Sequence, residues 1–503
     1  DEQRGAAEVV ADPAEPPDTD MSAAERVADP AHSGEADQPP ASDAHGSGER
    51  KRSFPSPLTI LLVVILGVWL LALVIPAGEY QHDEAGAPIP SSYHEIDPPL
   101  DFGDRVEDLL LSPVNGLYGV QDAETGHVGP FNSGRLFGSA QVFLFILAIG
   151  GFMTVVFKTG ALDLGIAHLA HKFRTRGPLL IVVLSVLFGV LGSVMSWSDE
   201  TLGFYALMIP LLLALGYDRV VVVAVVTVAP FVGSVGATVN PFRIGVGSDA
   251  AGVSMGDGIA LRLLLLVLVM AATIGYTLRY AARVKADPSL SLVPHDPEDY
   301  ELVRQAESDD LRALSGSDKA VLGVVAFTFL LMIFSIVPWG AILHNTVADD
   351  ISHETIIEPF GWELGWWLPE LTALFAVMAI IVGLVGRLGE AATASAFIRG
   401  VMDFTGAAVL VVVARAVSVI LTNTKTIDTV LNAMEGIVDG RSSVGFVILL
   451  AIISVPLAFL VGSGSAGMAL VMPILAPLGD FADVDRTLVI TTYNAMGGIL
   501  LLV

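Results

Sequence analysis

Apolar residues in this 503-residue chain gather into long runs rather than the spaced stripes of soluble helices, and polar residues are confined to the gaps between them. A helix that crosses a bilayer needs about 20 predominantly apolar residues. Runs of that length predict spans at 58–76, 139–157, 220–238, 259–281, 320–338, 366–386 and 404–422, with another beginning near 487. Two further apolar stretches, 178–216 and 444–479, are nearly twice as long, but small polar residues interrupt each midway, Ser196 to Thr201 in one and Gly462 to Ser465 in the other. Each reads as two spans with a tight turn, or as a hairpin that enters the membrane and leaves on the same side. Irregular backbone at that depth is tolerated only where protein or a watery cavity covers it. The pattern gives an all-α polytopic membrane protein.

Orientation follows the Lys and Arg residues beside span ends, because acids count for little in that bias. Lys51, Arg52, Lys158, Lys172, Arg174, Arg176, Arg279, Arg283, Lys285 and Lys319 all fall on one side if 178–216 is a hairpin. That side is read as the cytoplasm, which puts the N-terminus inside and loops 77–138 and 340–366 outside.

Composition sharpens this picture. The chain is 53% hydrophobic and 16% charged, yet its net charge is −27. The acidity is local: 1–50, 77–138, 286–318 and 340–366 together net −31, so the remainder nets slightly positive. No basic stripe exists for a nucleic-acid partner. Cysteine is absent, which removes disulfides, thiol nucleophiles and Cys-metal sites. Dense carboxylates at both faces suit a salt-adapted, halophilic source, where self-repulsion is screened. Residues 1–50 are too polar to offset ordering entropy and read as a disordered acidic cytoplasmic tail.

The chain also matches itself. Ala206-Leu207-Met208-Ile209-Pro210-Leu211-Leu212-Leu213-Ala214-Leu215-Gly216 aligns with Ala469-Leu470-Val471-Met472-Pro473-Ile474-Leu475-Ala476-Pro477-Leu478-Gly479 at six of eleven positions, and Thr159 to Asp163 resembles Thr424 to Asp428 at nearly the same offset. Five crossings separate the copies, an odd number, so they insert upside down relative to each other. Inverted repeats with broken helices build many secondary transporters, which bind substrate and ions at the midplane. The organisation read from this is a tail at 1–50, a first span and extracellular loop at 51–138, and transport repeat 1 at 139–285, with its hairpin at 178–216 and an unwound span at 220–252. An acidic cytoplasmic linker at 286–318 and scaffold spans at 319–403 follow. Transport repeat 2 occupies 404–503, with its hairpin at 444–479 and its end expected beyond Val503.

Four groups of residues could carry the chemistry. The first hairpin tip offers Ser196, Ser198, Asp199, Glu200 and Thr201, hard oxygen ligands beside a half-helix N-terminus suited to a carboxylate. The second offers Ser463 and Ser465 among glycines that let backbone approach a ligand. In the stretch Gly233 to Arg243, Pro241 and two glycines predict an unwound segment exposing carbonyls to a cation, with Thr238 and Asn240 beside it. Thr492 and Asn494 stand in the matching stretch of the second copy. Arg415 lies in an otherwise uncharged run and is a candidate to hold a carboxylate, from substrate or from Asp199 or Glu200; the plain alternative is an ion pair holding the two copies in register. Arg243, Arg262 and Asp403 lie near span ends and are expected to snorkel.

The chain resembles the anaerobic C4-dicarboxylate carrier family, in its YfcC-like branch, from about Phe54 onward. The resemblance rests on Ile75-Pro76-Ala77-Gly78-Glu79-Tyr80, Glu200-Thr201, Thr238-Val239-Asn240-Pro241-Phe242, Arg279 to Lys285, Ala414-Arg415 and Gly462-Ser463-Gly464-Ser465. That family is similar to elevator-type carriers of the ion transporter superfamily, which implies paired re-entrant hairpins, a dimeric scaffold, and hairpin tips that bind cation and substrate. The acidic tail has no counterpart there. The function expected is secondary transport of a small organic anion, C4-dicarboxylate-like, coupled to Na+ or H+ by alternating access, with no cofactor beyond a possible Na+. An amino-acid carrier or exchanger is the alternative; a channel or intramembrane enzyme is a more distant one.

Overall fold

The computed structural model describes residues 55–82, 88–197, 200–293, 312–348, 355–438 and 440–500. The tail 1–50, most of the linker, Ser198, Asp199 and the last three residues lie outside the described residues. The described chain is mostly helical. Helix α1 (Pro57–Ala72) starts where the Ser56 hydroxyl accepts from the Thr59 amide and Pro57 takes the first helical position, whose N–H would be unpaired in any case.

The segment read as a plain loop at 77–138 has structure of its own. Strands β1 (Ala77–Glu79) and β2 (His94–Ile96) pair antiparallel. Helix α2 (Phe102–Tyr118) follows, capped by Asp101. Then β3 (Val120–Asp122), β4 (Val128–Gly129) and β5 (Gly134–Leu136) form a sheet ordered β4-β3-β5. Helix α2 packs on the membrane helices with a polar face inward: Arg105, Asp108, Ser112 and Asn115 are its buried side chains. Reading hydrophobic periodicity alone misses such an element, because its buried stripe is made of polar residues held by hydrogen bonds.

Next come α3 (Ala140–Thr159), α4 (Ala161–Lys172), α5 (Gly177–Met195) and α6 (Tyr205–Ala214), the last entered through a 3-10 turn at Glu200–Phe204. Helix α7 (Arg219–Val223), a π turn and α8 (Ala229–Val235) run up to a break at Gly236, after which a second π turn from Pro241 leads into α9 (Val246–Ala251). The chain continues through α10 (Ile259–Ala286), α11 (Gly316–Ile336), the short α12 (Trp339–Ile342), the antiparallel pair β6 (Thr346–Ala348) and β7 (Thr355–Ile357), then α13 (Leu368–Val385) and α14 (Glu390–Asn423). Helices α15 (Ile427–Val438), α16 (Ser443–Val461), α17 (Gly464–Phe481) and α18 (Arg486–Leu500) complete it.

Among the described residues, eight helices are long and apolar enough to cross a membrane: α3, α5, α10, α11, α13, α14, α16 and α17. This is a multi-pass membrane protein. The span expected at 404–422 is the second half of α14, which runs unbroken for 34 residues because 390–403, though more polar, contains neither Pro nor a strong turn signal.

Small residues set the packing, as they do where lipid removes the hydrophobic drive between helices. Gly150 of α3 and Gly400 of α14 pack backbone to backbone, and a Cβ on Gly400 would strike the Gly150 carbonyl. Gly189 and Gly192 of α5 face Gly233 and Pro230 of α8 in the same way. Phe152, Phe329 and Phe375 interlock α3, α11 and α13 with ring centroids 5.3–6.1 Å apart. The two expected hairpins share a pattern: α5 packs on α8 and α16 packs on α18. The first arm of each ends on a left-handed residue, Ser196 (φ 56°) and Gly462 (φ 63°).

Candidate functional site

The two expected tips and the broken helix meet at one cavity of about 260 Å3. Ser196 and Trp197 come from the first tip, Gly464 and Ser465 from the second, and Phe242 and Arg243 from the helix break; α3 and α14 supply the far wall, including Phe157 and Phe404. The walls are therefore largely apolar, with Phe157 stacked on Trp197 (5.6 Å) and Phe242 on Phe404 (5.6 Å).

Local chemistry fixes this arrangement. Pro241 cannot donate its backbone hydrogen bond, so the helix breaks before it, and Asn240 caps the restart by accepting from the amides of Phe242 and Arg243. The same Asn240 donates from Nδ2 to Ser196 Oγ at 2.6 Å, tying the break to the first tip. Ser193 Oγ donates to the Gly236 carbonyl and lies 3.1 Å from Thr238 Oγ1. On the other side Ser463 caps α17 through the Ala466 amide, with Ser465 Oγ 3.5 Å away.

Arg243 is the charge at this junction. It is 9% exposed, lines the cavity, and among the described residues makes no ion pair. Its guanidinium lies against Gly464, where a Cβ would come within 2.9 Å of Arg243 Cζ. Trp197, 3% exposed, has no hydrogen-bond partner for Nε1 among the described residues. Arg243, Ser196 and Ser465 thus line one space, and among its described lining residues none is acidic.

Several expectations need correcting. Arg243 and Arg262 do not snorkel. Arg262 is 1% exposed and donates to the carbonyls of Thr238 (3.0 Å) and Met255 (2.7 Å). One carbonyl of the stretch expected to expose carbonyls to a cation, that of Thr238, thus faces a guanidinium. Arg415 does not line the cavity. It donates to Asp249 (3.2 Å) and to the Phe137 carbonyl (2.9 Å), and stacks on the Phe137 ring at 4.9 Å. Its partner thus sits on α9, past the helix break, because the helix restart turns Asp249 toward α14. Asp403 is exposed.

Of the other candidates, Thr201 is buried, and only the backbone of Glu200 is described, as the start of the 3-10 turn. Thr492 bonds back to the Leu488 carbonyl. Asn494 donates to the carbonyls of Ser234 and Val235 (both 3.1 Å) and leaves Oδ1 without a partner. It thus joins α18 to the end of α8, just before the break.

The sequence model of the C4-dicarboxylate anaerobic carriers, DcuC, matches residues 54–503. The chain belongs to this family. Two relatives are each 27% identical over 88% of this chain and 87% of their own length: an uncharacterised protein of Haemophilus influenzae and the putative basic amino acid antiporter YfcC of Escherichia coli. The fold is similar to that of the YdaH transporter of Alcanivorax borkumensis, with TM-score 0.58 and 16% identity over 89% of this chain and 90% of that one. It is also similar to MtrF of Neisseria gonorrhoeae, solved as illuminating a class of antimetabolite efflux pumps, with TM-score 0.56 and 15% identity over 90% of this chain and 86% of that one. Of the residues singled out in the sequence of this DcuC-family chain, Ser196 and Ser465 line the cavity and Asn240 caps the adjoining helix, whereas Arg243, Trp197 and the aromatic walls are not among the site candidates. The available signal was position: Arg243 follows Asn-Pro-Phe, and the residue after a helix break points where the break points.

Proposed function

We propose that this membrane transporter is a secondary active carrier of a small organic anion, coupled to Na+ or H+ and working by alternating access of two inverted repeats. The observation that carries the reading is Arg243: a buried guanidinium without a carboxylate partner among the described residues, facing a cavity shared by both tips. A charge held out of water costs several kcal/mol unless it is paired. A carboxylate in the cavity supplies that pair, with Ser196, Ser465 and the N-terminus of α17 as further donors.

Asn494 Oδ1 is an unpaired oxygen beside the break and a candidate ligand for a coupling Na+. The basic residues beside span ends support a cytoplasmic N-terminus, and the resemblance to elevator-type carriers supports a homodimer. Similarity to YfcC favours a second reading, an amino-acid carrier or exchanger, in which Arg243 holds the α-carboxylate.

The test is uptake into proteoliposomes of labelled dicarboxylates, monocarboxylates and amino acids, with and without inward Na+ or H+ gradients. Saturable, gradient-driven uptake of an anion that is lost in Arg243→Gln supports the carrier. Uptake only against a preloaded counter-substrate selects the exchanger, and saturable uptake of none of these compounds sinks both.

A further inference from the structure

The lining of the Arg243 cavity divides unevenly between one charge and many hydrocarbons. Arg243 is the one charged side chain among the described lining residues, and Ser196 and Ser465 supply the hydroxyls. Ser196 Oγ accepts from Asn240 Nδ2 at 2.6 Å, which leaves the hydroxyl proton available to a ligand. Neighbouring arginines are engaged outside this lining: Arg262 donates to the carbonyls of Thr238 and Met255, and Arg415 to Asp249 and the Phe137 carbonyl.

The rest of the lining is apolar. Phe157 stacks on Trp197 with planes 15° apart and Phe242 on Phe404 with planes 30° apart, so each pair joins a ring of the tip or the break to one of α3 or α14. Met153 and Met195 add flexible, polarisable side chains that adapt to varied ligand shapes. A carboxylate set against Arg243 is paired there, but a second carboxylate on the same ligand meets these walls with no further cation among the described lining residues. A buried unpaired charge is costly, whereas an apolar group gains by leaving water for the same walls. Bulk does not discriminate, since a C4-dicarboxylate and a simple aromatic acid are similar in size.

We propose, resting on the carrier reading above in which Arg243 holds an anion, that the substrate is a monocarboxylate with an aromatic or branched apolar body rather than a dicarboxylate. Its carboxylate pairs with Arg243 and accepts from the Ser196 hydroxyl, and its body lies among Phe157, Phe242 and Phe404. Arg243 then selects for one negative charge, and the walls select against a second while favouring hydrocarbon. Phe404, supplied by α14 opposite the tips, is a residue that sets this preference.

The experiment is calorimetric titration of the full chain in lipid nanodiscs at pH 7.5, with empty nanodiscs subtracted, using benzoate, 3-phenylpropanoate, butyrate, succinate, fumarate, phenylalanine and neutral benzamide. Benzoate or 3-phenylpropanoate is expected to bind about tenfold or more tighter than succinate, fumarate, phenylalanine and benzamide. Arg243→Gln should reduce benzoate to the level of benzamide. Phe404→Ala should narrow the preference for 3-phenylpropanoate over butyrate about tenfold, a ratio that partial loss of folded protein does not move. Succinate or fumarate binding as tightly as the aromatic acids, or an unchanged ratio in folded Phe404→Ala, overturns the monocarboxylate assignment and leaves the anion carrier standing. Tighter binding of phenylalanine than of 3-phenylpropanoate overturns it in favour of the amino-acid reading. Saturable binding of none of the carboxylates overturns the Arg243 anion site itself.

Discussion

Arg243 is buried and Arg415 half-buried, each in apolar surroundings, and the structure gives them opposite work. Arg243 offers its fork to the central cavity, so replacing it with Lys keeps the charge but loses the planar donor pair. A charge-assisted hydrogen bond is worth about 1.5–3 kcal/mol, so Arg243→Lys should raise the KM for an anionic substrate by roughly 10- to 150-fold. Uptake kinetics in proteoliposomes read this directly. Arg415 is committed to Asp249, with side-chain exposures of 12% and 21%. Removing one partner of such a pair leaves the other charge uncompensated and costs about 3–5 kcal/mol. Arg415→Met should therefore lower the unfolding temperature in detergent, and the double change Arg415→Met with Asp249→Leu should recover most of it. A rise in KM with unaltered stability would instead put Arg415 in contact with substrate.

Helix contacts depend on glycines that cannot be enlarged. A Cβ on Gly192 would enter the Pro230 carbonyl, and one on Gly233 would enter the Gly189 carbonyl, so neither side can move away without separating α5 from α8. Gly192→Ala and Gly233→Ala should each reduce the yield of folded protein sharply, whereas Gly67→Ala, with nothing within 4 Å, should leave it unchanged; size-exclusion profiles after extraction separate these outcomes. Elsewhere, β1 and the residue after it are held on the turn before α15 by Lys425 Nζ to Glu79 (2.8 Å) and on the start of α15 by the Tyr80 amide to Asp428 (3.1 Å). The Lys425 hydrogen bond holds the Glu79 carboxyl below its usual value. Its stabilisation is therefore present above the unfolded carboxyl's pKa of about 4.3 and is lost as pH falls through the lowered one. Exchange protection of 77–80 should fall on acidification through that window, and less so in Lys425→Met, which has already lost the bond.

For the protein as a whole, the net charge of −27 lies outside the apolar helices, in segments the sequence assigns to water. Self-repulsion of that kind is screened within about 3 Å at 1 M salt. Thermal stability in detergent should therefore rise from 0.1 to 2 M KCl, and deletion of 1–50, which nets −10, should reduce the dependence; a flat salt profile would remove the reading of a salt-adapted source.

The sequence alone determined that this is a polytopic helical membrane protein, where most of its apolar spans lie, and that Ser196 and Asn240 belong to interruptions of helices, with Ser465 just past one. Those features follow from run length and from Pro, Gly and Asn chemistry, which act between neighbours in the chain. Which charge faces the cavity was decided only in three dimensions. By position in the sequence Arg415 reads as the intramembrane charge and Arg243 as a snorkelling one, and the structure reverses this because Asp249, 166 residues from Arg415, pairs with that one and not the other. The inward polar face of α2 was hidden for the same reason: Asp108 is buried by Asn423, 315 residues away, and no local pattern records that contact.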